Sequence, residues 1–370
     1  MAAAKPHVGV CQRHAHCRLE GLSCRSGRAR DFRGRVDRAQ GDAANGALQH
    51  ARRVAHAHRA WLAGESARAQ AVRVRLMTAQ PRLGFIGLGA MGRPMALNLI
   101  KAGYPMAVYA RRPGAAAPLV AGGARAVANP AEVAQAADVV FTIVTASADS
   151  EQITLGAHGL IEGARAGTVV VDMATISPLT TRNIAQELEA RGVEHLDAPV
   201  SGGPMGAQGA TLAIMAGGKP QVFERVKPLF ERLGKTILYM GDHGAGQVTK
   251  ACNQLALTVT LQGVAEALML AQHCGVDPAK VREVMLGGIA ASRVLELFGK
   301  RMVERNFENG IDARLYHKDL NIVLDLAHQL GMAAPAAAVT LQQINALIGS
   351  GGGNSDFSRM IEVLEKASEP

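Results

Sequence analysis

The residue with the clearest chemical potential is Lys250, within the run Gly244-Ala-Gly-Gln-Val-Thr-Lys-Ala-Cys-Asn-Gln254. The apolar pattern from Gly246 to His273 predicts one long helix, and residues three and four apart on a helix share a face. Lys250, Asn253 and Gln254 are therefore expected to lie together. Burial lowers the pKa of a lysine, which suits a general acid that protonates a carbonyl oxygen, while the two amides orient the substrate. The competing interpretation is a solvated surface lysine.

A second candidate site is the glycine-dense run from Asp197 to Gly209, which is predicted to leave a strand end and enter a turn. Consecutive exposed main-chain amides bind anions. Ser201, Gly202 and Gly203 are therefore candidates for holding a substrate carboxylate through their amides and one hydroxyl. A purely structural turn is the alternative.

A third candidate is a glycine-rich turn between a strand predicted over Leu83 to Ile86 and a helix predicted over Met91 to Lys101. Such a turn places main-chain amides at a helix N-terminus, where a dinucleotide pyrophosphate binds. Alone the pattern is weak, because many strand-to-helix turns bind nothing. The predicted cofactor contacts in this turn are Gly87, Leu88, Gly89, Ala90, Met91 and Gly92.

The cofactor type is suggested by Arg111 and Arg112, which follow the glycines by about twenty residues, where the adenosine ribose is expected. An acid there favours NAD, whereas arginines can pair with the 2′-phosphate of NADP. We therefore expect NADP(H) to be preferred, with NAD(H) still usable. Two solvated arginines are the alternative. Thr145 and Thr175, each just past a predicted strand, are further candidate cofactor contacts.

The elements that must position these residues alternate between strand and helix up to Gly241 and are helical afterwards. The pattern predicts an α/β fold, with an N-terminal Rossmann-type doubly wound parallel sheet followed by an all-helical C-terminal domain. We place the dinucleotide-binding domain at 81–241 and the substrate and dimerisation domain at 242–370. Besides the first, predicted strands are Met106 to Tyr109, Val139 to Val144, Thr168 to Asp172, Val193 to Leu196, Leu212 to Met215 and Thr236 to Tyr239.

Residues 1–80 differ from the rest of the chain. The first 76 residues carry fifteen Lys and Arg against five acids, and the remainder carries twenty-five against twenty-six, so the net charge of +9 resides at the N-terminus. We expect a disordered or mis-started extension ahead of a true start at Met77. A targeting peptide and a nucleic-acid-binding arm are the alternatives, although acids are unusual in the first and aromatic residues are scarce for the second.

Other features restrict the class of protein. No run of ~18 apolar residues suggests a membrane span, and no histidine or cysteine spacing suggests a metal. Cys252 and Cys274 fall in helical patterns and are predicted to be buried thiols. We expect a cytoplasmic protein without a membrane or nucleic-acid partner, and a homodimer or homotetramer because the helices are so apolar.

Three motifs together resemble the β-hydroxyacid dehydrogenase family from Leu83 to about Lys366. They are the segment Phe85 to Asn98, the segment Asp197 to Gly218, and Gly244 to Gln254. The resemblance implies that Lys250 is the catalytic acid or base, that Ser201, Gly202 and Gly203 hold a carboxylate, and that Thr175 and Lys318 touch the cofactor.

The chain departs from the family pattern at six residues in four places. Gln254 replaces the usual asparagine, Arg111 and Arg112 replace an acid, and Ile311 replaces a phenylalanine near the active site. Val144 and Thr145 stand where Leu-Pro is usual, in the loop expected to contact the nicotinamide.

The resemblance is strongest to the branch that reduces 2-hydroxy-3-oxopropionate, in the runs Gly287 to Glu296, Arg305 to Phe307 and His317 to Leu320. It implies NAD(P)H-dependent reduction of a small 3-oxo acid to a hydroxyacid such as glycerate, with Lys250 as general acid. A 3-hydroxyisobutyrate or other short β-hydroxyacid dehydrogenase is the alternative within the family. A catalytically inactive dinucleotide-binding scaffold is the alternative of another class.

Overall fold

The fold was analysed in a computed structural model, which describes residues 80–112, 114–308 and 310–368. The predicted extension, residues 1–79, lies outside the described residues, so its interpretation stays a prediction. The proposed boundaries at 81, 241 and 242 likewise remain predictions. The described residues belong to one compact unit.

The first part of this unit is built on a nine-stranded sheet in the order β3-β2-β1-β4-β5-β6-β8-β7, with β9 beside β8. Strands β1 to β6 pair in parallel, β8 runs antiparallel to β6 and β7, and β9 is parallel to β8. The strands are β1 Leu83–Ile86, β2 Met106–Tyr109, β3 Arg125–Ala126, β4 Val139–Thr142, β5 Val169–Asp172, β6 Glu194–Asp197, β7 Val200–Ser201, β8 Leu212–Gly218 and β9 Gly234–Gly241.

Helices connect these strands and cover the sheet. Strands β1, β4 and β5 are buried along their whole length, because their continuous apolar runs pack against helices on both faces. The helices are α1 Gly92–Lys101, α2 Ala117–Ala121, α3 Pro130–Ala136, α4 Ser147–Leu155, α5 Leu160–Gly163, α6 Pro178–Glu189, α7 Gly203–Gln208 and α8 Pro220–Phe230. Together they form the Rossmann-type half that the sequence predicts.

The second part of the unit contains only helices among its described elements. At its centre lies the 29-residue helix α9, which packs against strands β8 and β9 and against α12, α13 and α14. These helices are α9 Ala245–His273, α10 Pro278–Gly287, α11 Lys300–Glu304, α12 Ala313–Gln329, α13 Pro335–Gly349 and α14 Ile361–Ala367, with a π-helical turn at Leu295–Gly299 and 3₁₀ turns at Gly352–Asn354 and Phe357–Met360. The predicted all-helical domain is confirmed.

Helix α9 has the apolar pattern of a buried helix, but it is buried only in part. Its length and mean hydropathy of 1.3 match those of a membrane span, yet only 44% of that apolar window is buried. Leu270 is 63% exposed, and Cys252 and Cys274 are also exposed, so the prediction of two buried thiols is wrong. The reason is that the neighbouring helices of the single chain cover only part of the circumference of α9.

Candidate functional site

The glycine turn between β1 and α1 has the shape of a dinucleotide cradle. Gly87 has φ +97°, and a Cβ there would overlap the carbonyl oxygen of Ile143. A Cβ at Gly92 would overlap the carbonyl oxygen of Gly87, whereas a Cβ at Gly89 would have no neighbour within 4 Å. The outer glycines therefore hold a tight turn, and Gly89 leaves the backbone open to a ligand. These residues fit the pyrophosphate of a dinucleotide.

The turn opens into a cleft of about 330 Å³ at the carboxyl ends of the parallel strands. Arg111 and Arg112, after β2, lie at one end of it and are exposed. Arg111 forms an ion pair of 3.8 Å with Asp149 of α4. The cleft is lined by predicted cofactor residues from three segments, Gly87, Leu88 and Gly89, Arg111 and Arg112, and Val144 and Thr145.

The loop after β5 brings Thr175 to the helical domain. Lys318 of α12 donates a hydrogen bond from Nζ to the carbonyl oxygen of Thr175 at 2.5 Å. The structure thus joins two residues that are 143 positions apart and that were both assigned to the cofactor. The neighbouring residues Ala174 and Ile176 are buried.

Lys250 lies in the second turn of α9 and is only 6% exposed. Among the described residues, none forms a hydrogen bond with its side chain. Its nearby charges are Asp319, an anion, and Lys318, a cation, which form an ion pair of 2.7 Å with each other. The amine is therefore held in a dry environment while its protons stay available to a ligand.

The two predicted amides lie beside Lys250 and are linked to each other. Asn253 donates to Oε1 of Gln254 at 2.8 Å, and Gln254 donates to Oδ2 of Asp319 at 2.6 Å. Gln254 is buried and Asn253 is half-buried. The structure brings Lys250, Asn253 and Gln254 together as the helical spacing predicts, and it adds Asp319 to the group.

The predicted carboxylate loop begins where β7 ends. Ser201 pairs with Ala213 of β8, after which Gly202 and Gly203 adopt φ of +133° and +63° and start α7. A Cβ on Gly203 would lie 3.5 Å from Cδ1 of Ile311, which belongs to the helical part. The loop therefore faces Ile311 across a narrow gap.

Asp197 fixes the start of α9 against the sheet. Its carboxylate accepts hydrogen bonds from the main-chain amides of Gly244 at 2.8 Å and Gln247 at 2.9 Å. These amides have no partner within the helix, so the aspartate caps the helix from the end of β6. Gly246 is required because a Cβ there would overlap the carbonyl oxygen of Met215. The helix that carries Lys250 is thus anchored to the strand that leads to Ser201.

Comparison with known proteins assigns the family. Residues 82–241 match the model described as the NAD binding domain of 6-phosphogluconate dehydrogenase. Residues 244–364 match the model described as NAD-binding of NADP-dependent 3-hydroxyisobutyrate dehydrogenase. The chain is 42% identical to 2-hydroxy-3-oxopropionate reductase of Escherichia coli strain K12, over 77% of this chain and 97% of that protein. The chain belongs to the β-hydroxyacid dehydrogenase family.

Two further relatives show the same family of enzymes. The dehydrogenase is 36% identical to 3-hydroxyisobutyrate dehydrogenase of Pseudomonas aeruginosa, over 70% of this chain and 89% of that one. It superposes on 3-hydroxyisobutyrate dehydrogenase of Mycobacterium tuberculosis with a TM-score of 0.71 and 30% identity, over 77% of this chain and 99% of that one. The protein is thus an oxidoreductase with a nicotinamide dinucleotide cofactor. Among its described residues, no group of three or more His, Cys, Asp or Glu could hold a metal.

Burial dominates the electrostatics of the dehydrogenase site. It lowers the pKa of Lys250 to about 8, with Asp319 acting in the opposite direction and Lys318 in the same direction. At the strand ends, burial raises the pKa of Asp172 to about 6 and also raises the pKa of Asp197. In β6, burial lowers the pKa of His195 to about 3.

Sequence reasoning assigned no role to two polar residues of this site. Asp319 follows Lys318 and is buried beside Lys250, although the pattern of α12 alone does not show which face meets α9. Gln247 precedes Lys250 by three residues, so helical spacing placed it on the same face of an apolar helix. Helical spacing could therefore have identified Gln247 from the sequence. Asp319 could be identified only from the packing of α12 against α9.

Proposed function

We propose that this dehydrogenase reduces 2-hydroxy-3-oxopropionate to glycerate with NADPH as the reductant. The observation that carries the proposal is Lys250, buried with no hydrogen-bond partner for its side chain among the described residues and beside a buried carboxylate. An amine with a pKa near 8 is close to neutrality, where a general acid is most effective. The 42% identity to the reductase of Escherichia coli supports this choice of substrate.

The proposed roles divide between the two halves of the site. A bound nicotinamide supplies the hydride that reduces the aldehyde carbon. Lys250 donates a proton to the aldehyde oxygen, and Asn253 and Gln254 orient the substrate. Ser201, Gly202 and Gly203 hold the carboxylate, since the turn at these residues exposes its amides.

The proposed preference for NADPH rests on the arginines after β2. Arg111 and Arg112 are exposed in the cleft, where they can pair with a 2′-phosphate. The description of the C-terminal family model as NADP-dependent supports this proposal.

We also propose that the dehydrogenase assembles as a homodimer or homotetramer. Its helical part leaves large apolar side chains in solvent, and such surfaces mark interaction sites. Exposed examples are Leu270, Val284, Ile289, Leu330 and Val339.

A second candidate function is oxidation of 3-hydroxyisobutyrate. Two observations favour it, namely the C-terminal family model and the structural similarity to the enzyme of Mycobacterium tuberculosis. The aldehydes of the two reactions differ at carbon 2, where 2-hydroxy-3-oxopropionate carries a hydroxyl group and methylmalonate semialdehyde carries a methyl group. A direct comparison of the two corresponding aldehydes therefore separates the candidates.

The test measures oxidation of NADPH and of NADH by the full chain and by a variant that starts at Met77. The aldehydes offered are 2-hydroxy-3-oxopropionate, methylmalonate semialdehyde, succinic semialdehyde and glyoxylate. The proposal expects the highest kcat/KM for the first aldehyde with NADPH. Preference for methylmalonate semialdehyde supports the second candidate, and cofactor binding without turnover of any aldehyde supports the inactive scaffold.

A further inference from the structure

The buried side chain of Gln247 links three segments of the proposed site. It is 1% exposed in the first turn of α9. Its Nε2 donates to the carbonyl oxygen of Ala174 at 2.8 Å, and its Oε1 accepts from the amide of Ile176 at 3.1 Å. One side-chain amide therefore holds the main chain on both sides of Thr175.

The main chain of Gln247 provides the second link. Its amide donates to Asp197, the carboxylate that ends β6 and leads within four residues to Ser201. Lys250 follows Gln247 by three residues on the same helix, so the two lie on one face. Gln247 thus contacts the segment before the carboxylate loop, the loop of Thr175 and the helix of the lysine.

The Thr175 loop is also held from its other side. The carbonyl oxygen of Thr175 accepts the hydrogen bond from Lys318, whose neighbour Asp319 bonds to Gln254. The peptide of Thr175 is therefore fixed between α9 and α12. A loop that needed only to be stable could be anchored by its own turn, whereas this one is held at three consecutive residues by side chains from two helices of the other domain.

We propose that Gln247 is a positioning residue for the reaction, which sets the Thr175 loop, and with it the bound nicotinamide, at a fixed distance from Lys250 and the substrate. This inference rests on the proposed function. Hydride transfer needs reacting atoms about 3 to 3.5 Å apart, and a displacement of about 1 Å lowers the rate ~100-fold. The side chain of Gln247 joins the Thr175 loop directly to the helix of Lys250 and thereby controls that distance.

The main test replaces Gln247 by methionine, which keeps the length of the side chain and removes both hydrogen bonds. The matched control is Gln262→Met, because Gln262 is also buried in α9 and, within the described part of the chain, its amide bonds only to Glu266 of the same helix. We expect Gln247→Met to lower kcat about 100-fold while the KM of the aldehyde and the Kd of NADPH change less than about threefold. The deuterium isotope effect with labelled NADPH should rise, because hydride transfer becomes rate-limiting. Gln262→Met should leave all four values near those of the wild type.

A measurement without cofactor tests the same link. Hydrogen exchange of the Ile176 amide should accelerate in Gln247→Met and stay slow in Gln262→Met, since only the first variant removes its acceptor. If Gln247→Met fails to fold, Gln247→Glu replaces it. Its ionised form keeps the acceptor for Ile176 and loses the donor to Ala174, so kcat relative to the wild type should recover as the pH falls and the carboxylate is protonated.

The outcomes separate the two proposals. A wild-type enzyme without turnover of any aldehyde overturns the proposed function, while exchange of Ile176 still tests the link. An active wild type with unchanged kcat and isotope effect in Gln247→Met overturns the positioning role. A lower melting temperature with normal kcat per NADPH-binding site also overturns it, because that result describes a purely structural contact.

Discussion

Two regions of the proposed site use positive charge in opposite ways. In the cleft, at the proposed adenosine position, the side chain of Arg111 is 86% exposed and lies 3.8 Å from Asp149. On α9, the proposed proton donor Lys250 is 6% exposed and lies near Asp319 in a dry environment. Water and salt screen an exposed charge, whereas burial shifts the pKa of a charged group and strengthens the effect of neighbouring charges on it. The first region is suited to binding and the second to proton transfer.

Removing the buried charge should have the largest effect. We expect Lys250→Ala to lower kcat by about 10²- to 10⁴-fold, because the proton donor is lost. The Kd of NADPH, measured by fluorescence titration, should change little. Lys280→Ala provides the control, since Lys280 is exposed on α10. Near-normal turnover of Lys250→Ala would contradict the assigned role.

The pH dependence of kcat should show the effect of Asp319 on Lys250. Reduction requires protonated Lys250, so its kcat should fall as the pH rises through about 8, while oxidation of the alcohol should increase over the same range. Asp319 raises the pKa of Lys250, so Asp319→Asn should move this limb to lower pH. At the pH optimum kcat should fall about tenfold, because the hydrogen bond from Gln254 would then go to a neutral amide in place of a charged carboxylate.

Asp325→Asn is the control for this profile, because Asp325 lies exposed on the same helix. If the pH dependence of kcat shifts neither in Asp319→Asn nor in the control, Asp319 does not raise the pKa of Lys250.

Replacing the exposed arginines of the cleft should change the preference between NADPH and NADH and leave kcat unchanged. In the double variant Arg111→Ala and Arg112→Ala, the KM of NADPH should rise about tenfold, since charge-assisted hydrogen bonds to the phosphate are lost. The KM of NADH and the kcat with either cofactor should stay nearly constant. Arg125→Ala, at an exposed arginine of β3, serves as the control. Equal losses with both cofactors would contradict recognition of the 2′-phosphate.

The smallest effect is expected from the partner of Arg111. Asp149→Asn removes an anion that competes for this arginine, so the KM of NADPH should fall about twofold at low ionic strength. The difference should vanish at about 0.5 M salt, where exposed charges are screened. A change in kcat that resists salt would show that the cleft and the region of Lys250 are not independent.

The sequence was most informative where a local pattern determines the structure. The predicted strand segments match seven of the nine strands in the described sheet, and the glycines at Gly87 to Gly92 correctly indicated a tight turn. The face shared by Lys250, Asn253 and Gln254 followed from helical spacing alone. The two missed strands, β3 and β7, have only two residues each, too few to show a period.

The rest depends on contacts between distant segments. The segment before α11 contains a π-helical turn at Leu295–Gly299, which apolar spacing in the sequence does not reveal. Cys252 was predicted to be buried but is exposed, because the rest of the chain covers only part of the apolar surface of α9. Asp319 joined the site only through the packing of α12 on α9.

Two buried groups, one in β5 and one in β6, also link proton uptake to stability. The pKa of His195 is lowered by burial from 6.5 to about 3, so the unfolded chain takes up this proton first and the fold loses stability as the pH falls through 6.5. The pKa of Asp172 is raised by burial from 3.8 to about 6, so the folded chain binds that proton first and gains stability as the pH falls through 6. The two contributions oppose each other between about pH 4 and 6. Replacing His195 by phenylalanine removes one of them, and the midpoint of urea denaturation should then increase on mild acidification relative to the wild type.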